Sequence, residues 1–438
     1  MNRIVAKFGG SSLADASQIR KVVRILREDP SRRYVVVSAP GKRGVGDVKV
    51  TDLLYRCCDA AISGADYASP LEQIRQRFDD IIRDLGIEFD LDSEIEAIRA
   101  HLQAHPQRDF MASRGEYLNA KIIAVYLGFP FLDAAALVRF SPDGKFEDAQ
   151  TDANLRAALA LHPNAVLPGF YGADETGRVH TFSRGGSDVT GALVARAVNA
   201  DLYENWTDVS GMLFTDPRIV DNPKTIASIT YRELRELSYM GASVLHEDAV
   251  FPVRKAGIPI QIRNTNRPQD AGTMILSELP EAAPKQSVTG VAGRRGFTSI
   301  LVEKSMMNSE VGFGAELLEI FAAHGVPFEH CPTGIDTMTV IVGSAQFRVH
   351  KDSILQQIRR RLQPEFMSVE SGLAMIAVVG YGMIYAKGSA ARIFTALADN
   401  GINIRMIDQG SSEMNIIIGV DEADFENAIR SIYRVCVQ

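Results

Sequence analysis

Apolar positions along the first 280 residues follow two alternating patterns. Short runs rich in β-branched and aromatic residues, at 4–8, 34–38, 165–168, 178–182, 201–206 and 259–263, predict strands. Between them, Ile19, Val22, Val23 and Leu26 recur with the i, i+3, i+4, i+7 spacing of one helical face, and residues 16–26, 117–127 and 189–199 predict helices. Such alternation predicts an open α/β fold, a mostly parallel sheet sandwiched by helices. Residues 52–103 carry helical patterns with little strand signal and predict a helical excursion beside that sheet.

Residues 280–286 lack periodicity and hold Pro280 and Pro284, which predicts a linker. Beyond it the chain repeats itself. Placing Gly325 over Gly401 aligns Gly312 with Gly388, Gly334 with Gly410, Met338 with Met414 and Gly343 with Gly419 without a gap. Each copy reads strand, helix, strand, strand, helix, at 299–303, 315–323, 326–331, 337–342 and 353–362, then at 375–379, 390–398, 402–407, 415–420 and 425–432. That is the ferredoxin-like βαββαβ pattern. The expected organisation is one domain over 1–280 and two small units over 298–364 and 372–438. Two edge-bearing sheets in one chain are expected to pair with each other or with a second chain, so a homodimer or higher homo-oligomer is expected.

Composition narrows the function classes. Hydrophobic residues make up 46% of the chain and charged residues 23%, as in a soluble globular protein, and a net charge of −7 gives no basic stripe for nucleic acid. No signal-peptide pattern precedes the first strand and no apolar run reaches membrane-spanning length, so a cytoplasmic protein without a membrane partner is expected. Cys57, Cys58, Cys331 and Cys436 form neither a Cys-x-x-Cys pair nor a zinc pattern, and His246 has no second histidine four residues on. Core thiols, a structural His246 and no protein-held metal are the expectations.

The chemistry concentrates at two strand-to-helix junctions. In Arg184-Gly185-Gly186-Ser187-Asp188 the glycines fall at a helix start, where free backbone N–H groups and the helix dipole favour an anion. Alone, this run equally describes a tight turn with a solvated arginine. A second junction, Lys7-Phe8-Gly9-Gly10-Ser11-Ser12, has the same make-up, with its lysine ahead of the glycines, the reverse of a Walker A loop. A flexible ammonium beside open backbone N–H groups suits a transferring phosphoryl group, where catalysis is positioning and electrostatics.

Together with Ser113-Arg114-Gly115-Glu116, Thr207-Asp208-Val209 and Thr215-Asp216-Pro217-Arg218, these motifs resemble, in order and spacing along the whole chain, the aspartate kinases of the amino-acid-kinase superfamily. Ser38-Ala39-Pro40-Gly41-Lys42, Lys49-Val50-Thr51-Asp52-Leu53-Leu54 and Gln409-Gly410-Ser411-Ser412-Glu413 look most like a monofunctional, feedback-regulated subgroup. The resemblance implies an amino-acid-kinase fold followed by two ACT domains, and transfer of the ATP γ-phosphoryl group, with Mg²⁺, to the β-carboxylate of L-aspartate. The nucleophile is already an anion, so no catalytic histidine is required. It implies catalytic roles for Lys7, Arg184 and Asp188, aspartate binding by Ser38, Thr51, Glu116 and Arg184, and nucleotide binding by Lys7, Gly9, Gly10, Ser11, Thr207, Asp208 and Arg218. Glu116 also fits a plain helix-dipole role, since it stands just before the predicted helix at 117–127.

The resemblance further implies an effector amino acid, lysine first and threonine next, at the ACT interface, with residues 330–336 in the loop that holds effectors in relatives. In relatives the first ACT unit is inserted within the second, which leaves the threading of the strand near Thr298 open. The chain ends soon after the second unit, so no fused homoserine dehydrogenase domain is expected. Two positions depart from the family pattern: Leu213 stands where many relatives carry tyrosine and Ser243 where many carry lysine, with Arg254 or Lys255 as candidate replacements. Two other functions stay open, a catalytically silent nucleotide or amino-acid sensor and a kinase for another acidic amino acid.

Overall fold

The structure, a computed structural model, describes residues 2–183, 185–242, 245, 247–279 and 287–437. The expected linker at 280–286, together with Arg184, Ser243 and His246, lies outside the described residues. Two compact units emerge, the first made of Met1–Met212, Thr225–Tyr231 and Val244–Pro280, the second of Leu213–Lys224, Arg232–Ser243 and Glu281–Gln438.

The first unit is built on strands β1 (Ile4–Phe8), β2 (Arg32–Val37), β3 (Ala165–Pro168), β6 (Leu202–Thr207), β7 (Ser228–Thr230), β8 (Ile260–Asn264) and β9 (Thr273–Leu276), with β4 (Tyr171–Ala173) and β5 (Val179–Thr181) as a separate hairpin. The sheet order is β3-β2-β1-β6-β8-β9-β7, parallel throughout except for the β8–β9 pair. All five residues of β1 are buried, as a strand covered on both faces requires. The helix Ala16–Glu28 is capped by the Asp15 side chain, which accepts from Gln18 N at 2.9 Å, and it buries Ile19, Val22, Val23 and Leu26, the predicted face. Burying each of these side chains contributes roughly 1.5–3 kcal/mol.

The helical excursion consists of Val50–Ser63, Ala68–Leu85 and Leu91–Ala104. Leu54, Cys57, Ile74, Phe78 and Ile98 pack in its core, and burial pushes the Cys57 thiol up to about 12, so it stays an inert core group. The helix predicted at 117–127 runs from Arg108 to Leu127, which changes the status of Glu116. Glu116 lies well inside the helix, away from the first turn where a dipole role would apply. The extension is masked in sequence because this helix is buried on most sides, with Met111, Ala112, Ser113, Gly115 and Glu116 all interior, and so shows no single apolar stripe.

The second unit carries a six-stranded sheet in the order β11-β12-β10-β13-β15-β14, where β10 is Gly290–Glu303, β11 Phe328–His330, β12 Thr337–Gly343, β13 Phe366–Val379, β14 Met406–Asp408 and β15 Asn415–Asp421. The two longest strands, β10 and β13, each serve both repeats. Residues 297–303 pair with β12 and with the first half of β13, while 290–295 pair with 374–379, and the register breaks between them around Gly296, whose φ is +91°. The strand at Thr298 therefore stays with the first repeat, and the segment just ahead of it completes the sheet of the second. The repeat is also visible in the backbone: Gly312 and Gly388 cap the equivalent helices Phe313–Ala323 and Ser389–Asp399 in the left-handed region, at φ +96° and +84°.

Candidate active site

The register of the parallel sheet sets the floor of the site. Lys7 on β1 is the direct partner of Asn205 on β6, so their side chains share one face. On that face Lys7 Nζ reaches Asp188 Oδ1 at 2.5 Å, and Asn205 Nδ2 donates to the same oxygen at 2.7 Å. Asp188 comes from the first turn of the helix Gly186–Ala197, which Gly185 enters in the left-handed region at φ +57°. Tyr203 OH donates to the Asp188 carbonyl at 3.1 Å, fixing this turn against β6. On the opposite face Arg32 holds Glu204 through Nε at 2.7 Å and Nη2 at 3.1 Å, and Trp206 Nε1 donates to Glu204 at 2.9 Å.

Loops at the carboxyl ends of β1 and β2 then close on each other. Gly41 N donates to Gly10 O at 2.8 Å, and a side chain on Gly41 would place its Cβ 2.6 Å from the Gly10 carbonyl carbon. The glycine turn leads into a 3₁₀ turn, Gly10–Leu13, before the α-helix begins at Ala16, so the anion-binding helix start expected there is replaced by a tight turn. Gly115 admits Ala39 in the same way, since a Cβ there would meet the Ala39 Cβ at 2.7 Å. Asn119, one turn further along, is fully buried and donates through Nδ2 to Ser38 O at 2.7 Å.

The result is a cleft of about 900 Å³ whose walls include Ser11, Ser38, Thr51, Glu116 and Asp208. Such a cleft outside the strand carboxyl ends is where an open α/β sheet receives ligands. Lys42, Arg43 and Lys49 also line it and supply positive charge. Arg77, buried, braces their loop by donating to Gly41 O at 3.1 Å and pairing with Asp47 at 2.7 Å. Glu116 is 6% exposed, and its Oε2 is buried with no hydrogen-bond partner. Desolvation pushes this carboxyl up to about 8, against the opposing pull of the Ala39 backbone N–H. A buried carboxyl group with one unpartnered oxygen, in a cleft that Lys42 and Lys49 also line, is unusual enough to indicate a ligand group.

Of the predicted site residues, Gly10, Ser11, Ser38, Thr51, Glu116 and Asp208 meet in this cleft, and Lys7 and Asp188 meet each other. Gly9 donates to Trp206 O at 3.0 Å, and a Cβ there would lie 3.6 Å from the Lys7 ammonium. Thr207 Oγ1 donates to Asp208 Oδ1 at 3.2 Å. Arg218 belongs to a segment of the second unit and is held by Asp216, through Nε at 3.0 Å and Nη2 at 2.6 Å. Arg254 and Lys255 are exposed at the end of the helix Glu247–Lys255. Asn119 and Asn205 were not anticipated. Their signal was available in part, since a polar pair such as Glu204-Asn205 inside a doubly covered strand must find partners on both faces.

A sheet of this topology with an ammonium, glycine turns and a buried carboxyl group near its carboxyl end suits a small-molecule phosphotransferase, and comparison with known proteins places the chain in that class. Residues 2–264 match the model of the amino acid kinase family and residues 376–435 that of the ACT domain. The chain is 40% identical to aspartokinase 3 of Bacillus subtilis over 98% of both chains. Its structure matches the aspartate kinase of Clostridium acetobutylicum with a TM-score of 0.90 and 46% identity, covering 99% of this chain and all of that one. E. coli aspartokinase III, solved in complex with aspartate and ADP, matches over the whole of both chains at 26% identity and a TM-score of 0.75. The chain belongs to the aspartokinases of the amino acid kinase family.

Proposed function

We propose that the cleft receives L-aspartate together with the phosphate end of Mg-ATP and passes the γ-phosphoryl group between them, giving 4-phospho-L-aspartate at the head of lysine, threonine and methionine biosynthesis. The observation that carries this is the Lys7–Asp188 contact at 2.5 Å, between a buried ammonium and a half-buried carboxylate, together with the unpartnered Glu116 oxygen in the cleft.

In the reaction an oxygen of the aspartate β-carboxylate forms a bond to the γ-phosphorus, the bond from that phosphorus to the β,γ-bridging oxygen breaks, and ADP leaves with the electron pair. The attacking group is an anion throughout, so the site has no proton to remove and works by bringing two anions together. Lys7 supplies the ammonium that neutralises the phosphoryl oxygens, while the backbone of Gly9, Gly10 and Ser11 lines their path. Glu116 meets the substrate ammonium, which satisfies its orphaned oxygen. Arg184 holds a carboxylate in its planar fork, helped by Ser38 and Thr51. Thr207 and Asp208 serve the nucleotide. Among the described residues no three acidic, histidine or cysteine side chains cluster as a metal cage; of the two acidic side chains lining the cleft, Glu116 is assigned to the substrate ammonium and Asp208 is left for a metal. That donor set fits Mg²⁺ held mainly by phosphate oxygens and water, with charge neutralisation as the chemistry it supplies.

Control comes through the ACT pair. An end-product amino acid, lysine first and threonine next, binds there in a homodimer or larger homo-oligomer and shifts the population of active enzyme. Lysine is favoured by E. coli aspartokinase III, which has also been solved in complex with lysine and aspartate at 25% identity and a TM-score of 0.73. A cytoplasmic location fits such a biosynthetic enzyme, and among the described residues no helix is long and apolar enough to cross a membrane. The test is ADP release from Mg-ATP with L-aspartate, L-glutamate or N-acetyl-L-glutamate as acceptor, each with and without lysine and threonine. Turnover with aspartate that an end product suppresses is the expected result. Turnover with another acceptor alone, or with none, would overturn the proposal.

A further inference from the structure

The last residue of β8, Asn264, and the next, Thr265, tie together two loops that the sheet itself keeps apart. Thr265 is 1% exposed, and its Oγ1 shares a hydrogen bond of 2.7 Å with Ser12 Oγ, which closes the glycine turn after β1. In sheet order β6 lies between β1 and β8, so this bond reaches past a whole strand. The Thr265 backbone N–H donates to Thr207 O at 2.9 Å. Asn264 is buried too, and its Nδ2 donates to Asp208 O at 3.2 Å and to Ser210 Oγ at 2.9 Å, while its Oδ1 accepts from Asn266 N at 2.8 Å. The Asn264 amide donor and the Thr265 hydroxyl are thus spent on loops that border the cleft, where Gly10, Ser11 and Asp208 are wall residues.

We propose that Asn264 and Thr265 are positioning residues for the nucleotide: they set the separation between the phosphate turn at Gly9–Ser12 and the loop at 207–210, without touching the ligand. The proposal rests on the assignment of those two loops to ATP. Catalysis of this kind depends on donors fixed before the substrate arrives, and a loop displaced by a fraction of an ångström loses that advantage. Aspartate contacts on Ser38, Thr51 and Glu116 hang from β2 and from helices, outside this bracket, so the two substrates should feel its loss unequally.

The test uses the full-length protein with Thr265→Val, which keeps the shape and removes the hydroxyl, Thr265→Ser, which restores it, and Asn264→Asp, which removes the donor. Steady-state constants for Mg-ATP and aspartate are measured beside ADP affinity by titration calorimetry. Thr265→Val and Asn264→Asp are expected to raise the KM for Mg-ATP and the Kd for ADP by about 3- to 10-fold, the size of one lost hydrogen bond, with the KM for aspartate within about twofold of wild type. Thr265→Ser is expected to recover the wild-type values. Equal shifts in both KM values without rescue would show a purely structural role and overturn the proposal, as would unchanged constants in Thr265→Val, whose folding is checked by its melting temperature. Wild-type turnover with aspartate is the reference: its absence would sink the functional assignment, whereas ADP affinity would still judge the bracket.

Discussion

Lys7 Nζ lies 2.5 Å from Asp188 Oδ1, and the same oxygen accepts Asn205 Nδ2 at 2.7 Å. The arrangement stores a cation at the sheet floor and gives its counter-ion a second, neutral donor. In the proposed reaction phosphate oxygens draw the ammonium away, and Asp188 keeps the Asn205 amide and is not left bare. Asp188→Asn removes the anion that holds Lys7 back. Turnover should fall by about 10²–10³-fold, as when an oriented charge is lost from a phosphoryl or oxyanion site, while ADP binding holds or tightens in a calorimetric titration. Wild-type turnover in that variant would remove Asp188 from the machinery.

Glu116 predicts a pH dependence of stability. Its carboxyl is pushed up to about 8 in the folded protein, above the ordinary value of 4.5, so between those limits the native state holds a proton that the unfolded chain releases. Its contribution is fully present below about pH 4.5 and declines by about 1.4 kcal/mol per pH unit as pH rises toward the folded value. Glu116→Gln cancels that slope. Urea midpoints should therefore diverge in favour of the variant between about pH 5.5 and pH 8, and the variant's KM for aspartate should rise by about tenfold or more through loss of a charge-assisted contact. Parallel stability curves would contradict the burial argument.

Close backbone contact between Gly10 and Gly41 leaves no room for a side chain. Gly41→Ala would put a Cβ 2.6 Å from the Gly10 carbonyl carbon, whereas at Gly44 in the same loop a Cβ meets nothing within 4 Å. Thermal unfolding should show Gly41→Ala destabilised by about 1–3 kcal/mol and Gly44→Ala within about 0.5 kcal/mol of wild type. Equal effects at the two positions would refute the packing account.

On the far face of the sheet, Glu204 balances two guanidinium groups, Arg32 at 2.7 Å and Arg263 at 3.5 Å, in a buried setting. Glu204→Gln leaves those charges without an anion and should cost about 3–5 kcal/mol. Trp206, the single tryptophan, donates to Glu204 and reports the transition through its fluorescence during urea unfolding. A loss below about 1 kcal/mol would show that the cluster is not an essential buried pair.

The regulatory unit offers a contact between the two repeats. His330 Nδ1 on β11 lies 2.8 Å from Asp408 Oδ2 on β14, the equivalent strand of the second copy. Asp408→Ala should shift half-inhibition by the effector by about fivefold or more, the scale of ordinary allosteric coupling, with turnover in its absence unchanged. An unaltered inhibition curve would show that the pair plays no part in control.

Periodicity made the helices of the first unit and the repeat of the second legible, because each element announces its own buried face. The face at Ile19, Val22, Val23 and Leu26 is an example, and so is the gap-free alignment of Gly312 with Gly388. Where a helix is buried on most sides the announcement fails, which is why the start at Arg108 and the interior position of Glu116 were hidden. Motifs pointed to the loops that carry the cleft. The partners that hold those loops were not legible: Asn119 reaches Ser38 across 81 positions and Thr265 reaches Ser12 across 253, and such pairs exist only once the sheet has assembled. The shared use of β10 and β13 by both repeats was hidden for the same reason, since register is a property of two strands.

The account turns on Lys7 as the phosphoryl clamp, and Lys7→Ala tests it most directly. Turnover of aspartate and Mg-ATP is measured with the melting temperature, with and without lysine or threonine. Turnover should fall by at least about 10²-fold while the shift of melting temperature with effector matches wild type, because effector binding is proposed for the other unit. Turnover near the wild-type rate would contradict the clamp and the site built around it.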